Sequence, residues 1–259
     1  MKILAIDTSG QQAGAAIVDA YITIGEIMIN AQSGSKTWHH SEILMPAVER
    51  LFALSGQELA DMDYVAYTSG PGSFTGLRIG ASTALGLARS IGKPAIAVPT
   101  LDSLAYNVLC MVSDESCNTQ QAYPGLVIPL MDARRGQVYT AIYRQASKLE
   151  RLTDYLAVPI EDMLERVGEL DASAIFLGDG ADVYKSEIMA LYPDARFAPA
   201  NANRQRPTSV GLCAMHQLKF STISSAYLDS TGNPIATPEI IYIRDPQAIR
   251  SNPQLTQKS

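Results

Sequence analysis

The chain has 259 residues, of which 47% are hydrophobic and 18% are charged, and this composition predicts a soluble globular protein of one or two domains. Its net charge of −6 disfavours a strongly basic nucleic-acid surface, and therefore tight, direct RNA binding by this chain alone. Cys110, Cys117 and Cys213 lack metal-ligand spacing and argue against a disulfide framework. No apolar run in the sequence is long enough for a signal peptide or a membrane span. We therefore expect a cytoplasmic protein with reduced thiols.

The first thirty residues predict three strands joined by short turns. Lys2–Ile6, Ala13–Val18 and Ile22–Ala31 are rich in strand-forming residues, and Gly25 is placed for a bulge. Short connections of this kind favour an antiparallel meander. The first strand ends in Asp7–Ser9, with the sequence Asp-Thr-Ser. These side chains suit a magnesium-bound phosphate, but they more often form a local Asx or ST turn, which we favour.

Residues 41–54 predict the first helix, with Ser41 as its N-cap and Gly56 as its end. Pro46 removes one of its helical hydrogen bonds. Its apolar residues cover most of the circumference, whereas a surface helix carries one apolar stripe. We therefore expect two burying surfaces, the chain's own sheet and a partner.

Two histidines, His39 and His40, precede this helix. Adjacent residues point apart, and a helix-borne zinc pair needs a spacing of four residues. The third histidine of the chain, His216, is distant in sequence. We therefore interpret the pair as capping or surface residues rather than as metal ligands.

Residues 64–98 predict a strand, a glycine-rich turn, a helix and a second, parallel strand. The helix covers about residues 76–91. Ser73 or Thr75 can cap its start, and Gly92 ends it.

This helix has a row of small residues. Gly76, Gly80, Ala84 and Ala88 lie four residues apart and therefore on one face. Glycine inside a helix is unfavourable, so the row indicates close packing. It packs either on the chain itself or on a partner helix, and the sequence leaves both open.

The glycine-rich turn at 69–73 invites comparison with phosphate-binding loops. Its glycines match neither the dinucleotide fingerprint nor a P-loop, and Arg78 is the only nearby cation. We favour a structural turn.

The rest of the chain continues with strands followed by alternating helices and strands. Predicted loops or tails cover residues 113–123, 221–234 and 252–259. The other predicted elements are helices at 101–112, 160–167, 183–192 and 210–220, and strands at 124–131, 137–143, 174–177 and, at an edge, 240–243.

These elements predict a duplicated α/β architecture. The predicted lobes are residues 1–100 and 101–207, with 208–250 packing back on the first lobe and a flexible tail at 251–259.

The segments MKILAIDTSG, HHSEILMPAVERLF, SGPGSFTGLRIG and MDARRGQVY occur in this order, and the chain resembles the TsaB (YeaZ-like) family of bacteria over roughly residues 1–220. A later segment, PEIIYIR, is similar to the closing segment of that family. The resemblance implies the fold of actin, sugar kinases and Hsp70, with two related α/β lobes.

The resemblance also implies a function. TsaB proteins are non-catalytic accessory subunits for the threonylcarbamoyl modification of adenosine 37 in ANN-decoding tRNAs. They bind and activate a TsaD-like transferase together with a TsaE-like ATPase, and they form homodimers through an overlapping surface. The chain would then need no cofactor of its own, because ATP and metal belong to the partner subunits, and it would meet tRNA only through the complex.

The family's interface lies on its first two helices, which match residues 41–54 and 75–91 here. A vestigial nucleotide site would correspond to Asp7, Thr8, Ser9, the segment 131–139 and the turn Gly178, Asp179 and Gly180. The implied interface residues are Ile43, Leu44, Ala47, Val48, Leu51, Gly76, Gly80 and Ala84.

Two alternatives stay open. One is an autonomous nucleotide-binding phosphotransferase or ATPase of the same fold, which requires Asp7 and the Gly178 turn to bind Mg-ATP. The other is a metallopeptidase, which the lack of a spaced ligand set disfavours.

Overall fold

The computed structural model describes residues 1–20, 22–31, 38–109, 125–145, 149–220 and 240–243. The helices are α1 (His40–Ser55), α2 (Phe74–Ser90), α3 (Thr100–Leu109), α4 (Ile160–Gly168), α5 (Asp179–Val183), α6 (Lys185–Leu191) and α7 (Pro207–Phe220). The strands are β1 (Lys2–Asp7), β2 (Gln12–Asp19), β3 (Ile22–Asn30), β4 (Tyr64–Gly70), β5 (Ala95–Pro99), β6 (Leu126–Asp132), β7 (Gln137–Thr140), β8 (Tyr143–Gln145), β9 (Leu149–Arg151), β10 (Leu156–Pro159), β11 (Ala174–Leu177) and β12 (Arg196–Phe197).

The first lobe is built on a five-stranded sheet with the order β3-β2-β1-β4-β5. The pairs β1–β2 and β2–β3 are antiparallel, and the pairs β1–β4 and β4–β5 are parallel. β1 and β4 are buried almost throughout, which explains their nearly continuous apolar sequences. The register of β2 and β3 shifts after Ile17, so that Ile24 is the extra residue of a bulge beside Gly25. The predicted meander and bulge are confirmed.

Helices cover both faces of this sheet. Leu4 and Ile6 of β1 point to the face covered by α1 and α2. Ile3 and Ala5 point to the opposite face, where α7 returns from the end of the chain. The alternation follows the two-residue period of a strand.

The second lobe repeats this plan. Its path of strands is β10-β7-β6-β11-β12, with β6 in the central place of β1, while β8 pairs with β6 and with β9. β6 and β7 pair antiparallel, as do β7 and β10, whereas β6, β11 and β12 run parallel. The shared order and directions confirm the predicted duplicated α/β architecture.

α3 is shared between the cores of both lobes. Tyr106 joins the first-lobe cluster, and Leu104 joins a cluster with second-lobe strands. Asp102 accepts hydrogen bonds from the hydroxyls of Tyr143, at 2.6 Å, and Tyr155, at 2.9 Å. Burial raises the pKa of the Asp102 carboxyl, although both hydrogen bonds act against that rise. These bonds fix α3 to the second lobe.

The structure departs from the sequence-based predictions mainly at short elements of the second lobe. The predicted strand 137–143 is divided between β7 and β8, and β9, β10 and β12 have no predicted counterpart. They have two to four residues, too few for a readable period. The predicted helix 183–192 is confirmed as α6, whereas α5, which lies before it, has no predicted counterpart. The predicted loops, the tail, Cys110 and Cys117 lie outside the described residues.

Residues 240–243 lie against the end of β4. The Ile241 backbone N–H donates to the Ser69 carbonyl at 2.7 Å, and Ile240 packs on the first-lobe core. These residues are not a strand, which corrects the predicted edge strand, because the single backbone bond between Ile241 and Ser69 does not make a ladder.

Candidate functional site

A cleft of about 750 Å³ separates the two lobes. The family resemblance implies a vestigial nucleotide site from three segments, and all three reach this cleft. Its lining includes Ser9 from the first segment, Met131, Asp132 and Tyr139 from the second, and Asp179 from the third. The fold therefore brings together residues that lie far apart in sequence.

Asp7 forms a local turn. Its Oδ1 accepts from the Ser9 backbone N–H at 2.8 Å and from the Ser9 hydroxyl at 2.7 Å, while Thr8 Oγ1 donates to the Gly76 carbonyl at 2.8 Å. The favoured interpretation of Asp7 as a turn residue is confirmed. Its other oxygen, Oδ2, is buried without a protein partner.

The pKa of Asp7 should make folding pH-dependent. Burial raises the pKa of this carboxyl above its ordinary value of 3.8, although the bonds from Ser9 oppose the rise. The folded chain thus holds this proton more tightly than the unfolded chain. The contribution to stability is complete below pH 3.8 and is lost as pH rises through the folded-state pKa.

We expect Asp7→Asn, which keeps the oxygen that accepts from Ser9, to remove this dependence. Each tenfold difference in proton affinity corresponds to about 1.4 kcal/mol. Urea unfolding between pH 4 and pH 7 should show the wild type losing stability relative to the variant as pH rises. Parallel curves would contradict the assignment. Asp102 and Asp179 are present in both proteins, so their contributions cancel in the difference.

The predicted turn at Gly178, Asp179 and Gly180 is instead the start of α5. Gly178 has φ of 102°, a region that favours glycine, and the helix begins at Asp179. Asp179 Oδ1 accepts from the backbone N–H groups of Asp132, at 3.3 Å, and Gly180, at 3.1 Å. Burial raises the pKa of this carboxyl.

Several backbone N–H groups of the glycine-rich turn donate hydrogen bonds within the chain. The Gly70 N–H donates to Thr100 Oγ1 at 3.2 Å, and the Ser73 N–H donates to the Ser9 carbonyl at 2.7 Å. The Gly76 N–H donates to the Ser73 hydroxyl at 3.2 Å, which confirms Ser73 as the cap of α2. These contacts support the interpretation as a structural turn.

Arg134 is the one lysine or arginine among the cleft-lining residues of the described chain. It lies in the turn between β6 and β7, with φ of 65°, and forms an ion pair with Asp132 at 3.3 Å. Its side chain is 81% exposed, so the pair holds it weakly.

A magnesium phosphate group requires free oxygen ligands together with free N–H donors or cations. Here Asp7 Oδ1 is bonded to Ser9, the Gly70 and Ser73 N–H groups of the glycine-rich turn are used within the chain, and Arg134 is paired and exposed, which leaves Asp7 Oδ2 as the one oxygen of this carboxylate without a protein partner. These residues do not supply the set of ligands that such a group requires, and we derive no catalytic step through it.

The two histidines line the same cleft at the start of α1. The Glu42 carboxylate accepts from the His39 backbone N–H at 2.8 Å, as at a helix N-terminus. Burial lowers the pKa of His40, and a hydrogen bond with the Gly10 backbone opposes that change. In the described ranges, no three His, Cys, Asp or Glu side chains are grouped as for a metal ion.

The structure corrects the side chains predicted for a partner interface. The five predicted on α1, and Gly76, Gly80 and Ala84 on α2, are all buried within the chain. A Cβ on Gly76 would overlap the Thr8 carbonyl oxygen, and one on Gly80 would overlap Thr8 Oγ1. The small-residue row thus packs on the chain itself. That these helices form an interface stays a prediction. Such an interface would have to use the residues on the sides of α1 and α2 that are not buried within the chain.

We define the outer helical face by five residues that are exposed or partly buried on α1 and α2. They are Met45, Phe52, Phe74, Arg78 and Ile79, of which Phe74 and Ile79 also line the cleft. Met45 and Phe74 are each 38% exposed. The Arg78 guanidinium lies 3.8 Å from the centre of the Phe74 ring. The periodicity of the sequence shows which residues of each helix share a side, but it does not show which side packs on the sheet. The outer helical face could therefore not be predicted from the sequence.

The closing segment extends the outer helical face. The Tyr242 ring lies 5.6 Å from that of Phe74. The Tyr242 hydroxyl accepts from Arg78 Nε at 3.3 Å. Aromatic and arginine side chains at a partly exposed site are typical of protein interfaces.

The sequence matches proteins of one pathway. A family model described as TsaD, tRNA N6-adenosine threonylcarbamoyltransferase, matches residues 35–250. The chain is 35% identical to the Bacillus subtilis tRNA threonylcarbamoyladenosine biosynthesis protein TsaB over 73% of this chain and 75% of the relative. It is 33% identical to the Escherichia coli protein of the same name over 56% of each chain, so that alignment spans about half of the relative.

The fold matches a solved structure. A Pseudomonas aeruginosa protein, described as uncharacterized with similarity to peptidase YeaZ, has a TM-score of 0.68 and 22% identity, covering 94% of this chain and 99% of that chain. At this identity the likeness shows the fold alone. Together with the repeated strand order, it confirms the predicted α/β fold of two related lobes.

Proposed function

The chain belongs to the TsaB family, and from that membership we propose that it is a non-catalytic accessory subunit for the threonylcarbamoyl modification of adenosine 37 in ANN-decoding tRNAs. It acts by binding and activating a TsaD-like transferase, together with a TsaE-like ATPase. The observation that supports the non-catalytic role is the local turn at Asp7, whose Oδ1 accepts from Ser9, beside a glycine-rich turn that uses the Gly70 and Ser73 N–H groups within the chain.

The match to a transferase family model supports the proposed partner. Two subunits of one fold can pack related surfaces against each other about an approximate twofold axis. The outer helical face supplies exposed methionine and aromatic side chains beside an arginine, the composition of an interface centre. We therefore place the transferase on this face. The homodimer that the family resemblance implies on an overlapping surface stays a prediction.

In this proposal, ATP and metal belong to the partner subunits and the chain holds no cofactor. Its net charge of −6 favours contact with tRNA through the complex rather than directly. None of the described helices is long and apolar enough to cross a membrane. We propose the cytoplasm as its location, because its proposed substrate is tRNA.

The test is size-exclusion chromatography with light scattering on the chain, the TsaD-like subunit of the same organism, and their mixture. We expect a one-to-one complex, because the proposed function depends on direct contact. Chains that elute separately, with or without ATP and the TsaE-like ATPase, would contradict the proposal.

One observation favours a second candidate, a nucleotide-binding phosphotransferase or ATPase. Asp7 Oδ2 is buried without a protein partner, and the segments of a nucleotide site meet at one cleft. Calorimetric binding of Mg-ATP by the chain alone would favour this candidate over the accessory role. A metallopeptidase would instead require bound metal in the purified protein.

A further inference from the structure

Two described elements connect the lobes. The first is α3, which takes part in the cores of both lobes. The second is the connection from β12, in the second lobe, to α7, which packs on the first-lobe sheet. Movement between two lobes changes the backbone of a few residues in such connections. We call residues 202–206 of the second connection the strap, and its contacts decide whether the lobes can turn against each other.

The strap is bound to the second lobe through two of its side chains. The Gly178 backbone N–H donates to Asn203 Oδ1 at 2.8 Å, and Asn203 Nδ2 donates to Asp182 Oδ1 at 3.0 Å. Arg204 forms an ion pair with Asp182 Oδ2. Gly178 lies where α5 begins, next to the cleft residue Asp179. The strap therefore holds the part of the second lobe that contributes Asp179 to the cleft.

The strap is also bound to α3. Asn107 of α3 is 5% exposed, and its Nδ2 donates to the backbone carbonyls of Ala202, at 2.9 Å, and Arg204, at 2.6 Å. Its Oδ1 accepts from the Ser209 hydroxyl of α7 at 2.5 Å. A buried amide whose donors and acceptor are bonded inside the protein fixes the groups that it contacts. Asn107 thus ties the two connections together.

The end of the strap is bound to the first lobe. Arg206 Nε donates to Glu26 Oε2 of β3 at 3.2 Å, and Arg206 Nη2 donates to the same oxygen. Glu26 Oε1 accepts from the Thr208 backbone N–H of α7 at 2.9 Å. The Glu26 side chain is 14% exposed, and charge-assisted bonds to a largely buried carboxylate are stronger than those of an exposed ion pair. Gln205 is 5% exposed and lies beside Gly10, because a Cβ built on Gly10 would be 3.0 Å from Gln205 Oε1.

We propose that the strap is a latch that holds the two lobes in one orientation, with the pair of Glu26 and Arg206 as its point of release. Residues 202–204 are bound to α3 and to the second lobe, while α7 is packed on the first-lobe sheet. A turn of the second lobe about α3 must therefore change the backbone of Gln205 and Arg206. The side chains of these two residues are anchored on the first lobe, so the turn is blocked. Without the ion pair, Arg206 can leave β3 and its backbone can rotate.

The latch gives the chain a cleft of fixed width. Ser9 on the first-lobe wall and Asp179 on the second-lobe wall then keep one separation. A molecule that binds a rigid pair of lobes orders fewer groups than one that binds lobes in motion, so its binding costs less conformational entropy. The proposal concerns the chain alone and does not depend on the proposed function.

Residual dipolar couplings of the backbone N–H groups measure the orientation of each lobe in a weakly aligned sample, and they test the latch on the full chain. In the wild type, one alignment tensor should describe the couplings of both lobes. Glu26→Gln removes the ion pair but keeps an oxygen that can accept from Thr208. It should lower the couplings of one lobe relative to the other about twofold, because a moving lobe averages its orientation.

Asp19→Asn is the matched control. Asp19 lies on β2, which pairs with β3, and forms an ion pair with the N-terminal amine inside the first lobe. This variant also exchanges a carboxylate for an amide and loses an ion pair, but it does not touch the strap. One tensor should still describe both of its lobes. Equal averaging in Asp19→Asn and Glu26→Gln would show a general effect of lost charge and would overturn the proposal.

Two further variants keep the test decisive. Urea unfolding should show that Glu26→Gln is folded. If it is not, Asp182→Asn takes its place in the same measurement with the same expected result, because Asp182 is 49% exposed at the second-lobe end of the strap. Glu26→Gln combined with Arg206→Gln should average the couplings no more than Glu26→Gln alone, because both substitutions remove one ion pair.

Three results would overturn the proposal. The first is a wild type whose lobes require two alignment tensors. The second is a folded Glu26→Gln variant, or a folded Asp182→Asn variant in its place, whose lobes still share one tensor. The third is further averaging in the double variant, which would place the point of release outside the pair of Glu26 and Arg206.

Discussion

Gly76→Ala is expected to destabilise the chain by about 3 kcal/mol, as overpacking of a closed contact does. The added Cβ would overlap the Thr8 backbone oxygen and lie 2.9 Å from His40 Nδ1. A backbone oxygen cannot rotate away as a flexible side chain can, so α2 must shift from β1. Urea unfolding at neutral pH measures the loss, and the transferase should still bind the fraction that remains folded.

Gly86→Ala is the matched control on the same helix. Gly86 is exposed, and its added Cβ would meet no atom within 4 Å. Alanine is the better helix former, so this variant should gain about 0.5–1 kcal/mol. If Gly76→Ala kept the unfolding midpoint of the wild type but no longer bound the transferase, the row of small residues would face a partner instead of the chain itself.

Met45→Asp is expected to weaken the proposed complex with the TsaD-like transferase about 100-fold while the chain stays folded. Met45 lies on the outer helical face and is 38% exposed, so an aspartate there remains hydrated in the free chain. In the complex it would be buried without a partner, and burying an unpaired charge at an interface centre is costly. Calorimetric titration of the variant with the TsaD-like subunit measures the change.

Leu191→Asp controls for the loss of an exposed apolar residue. Leu191 lies on the second lobe and is 60% exposed. The Leu191→Asp variant should therefore bind the transferase as the wild type does. Equal affinity for Met45→Asp and the wild type would remove the transferase from the outer helical face. A loss in Leu191→Asp alone would place the interface on the second lobe.

The strand–turn–helix–strand unit at 64–98 is predictable because its signals are local. The Ser73 cap, the stop at Gly92, which has φ of 64°, and the apolar strands each depend on a few neighbouring residues. The duplication of the lobes follows from the order of such units. The short strands of the second lobe escape prediction because pairing with a neighbouring strand makes them strands, rather than their own sequence: β10 pairs with β7, β9 with β8 and β12 with β11.

The candidate site is less predictable because its contacts are long-range. The spacing of Gly76 and Gly80 shows that they lie on one face of α2. The residue that packs against that face is Thr8, which follows β1 and lies far away in sequence. Similarly, the sequence of α1 indicates two apolar sides without saying which one meets the sheet. In the structure Leu44 is buried in the core, with 1% of its surface exposed, whereas Met45 is exposed.

The return of α7 to the first lobe has a consequence for synthesis of the chain. The cluster that contains Ile3 and Ile96 is completed by Val210 and Met215, so one layer of the N-terminal lobe is missing until α7 has left the ribosome. The second-lobe path β6 to β12 is contiguous within residues 126–197. The half that is made later can therefore finish folding first. Until then the N-terminal sheet exposes an apolar face, the kind of surface that chaperones shield during translation.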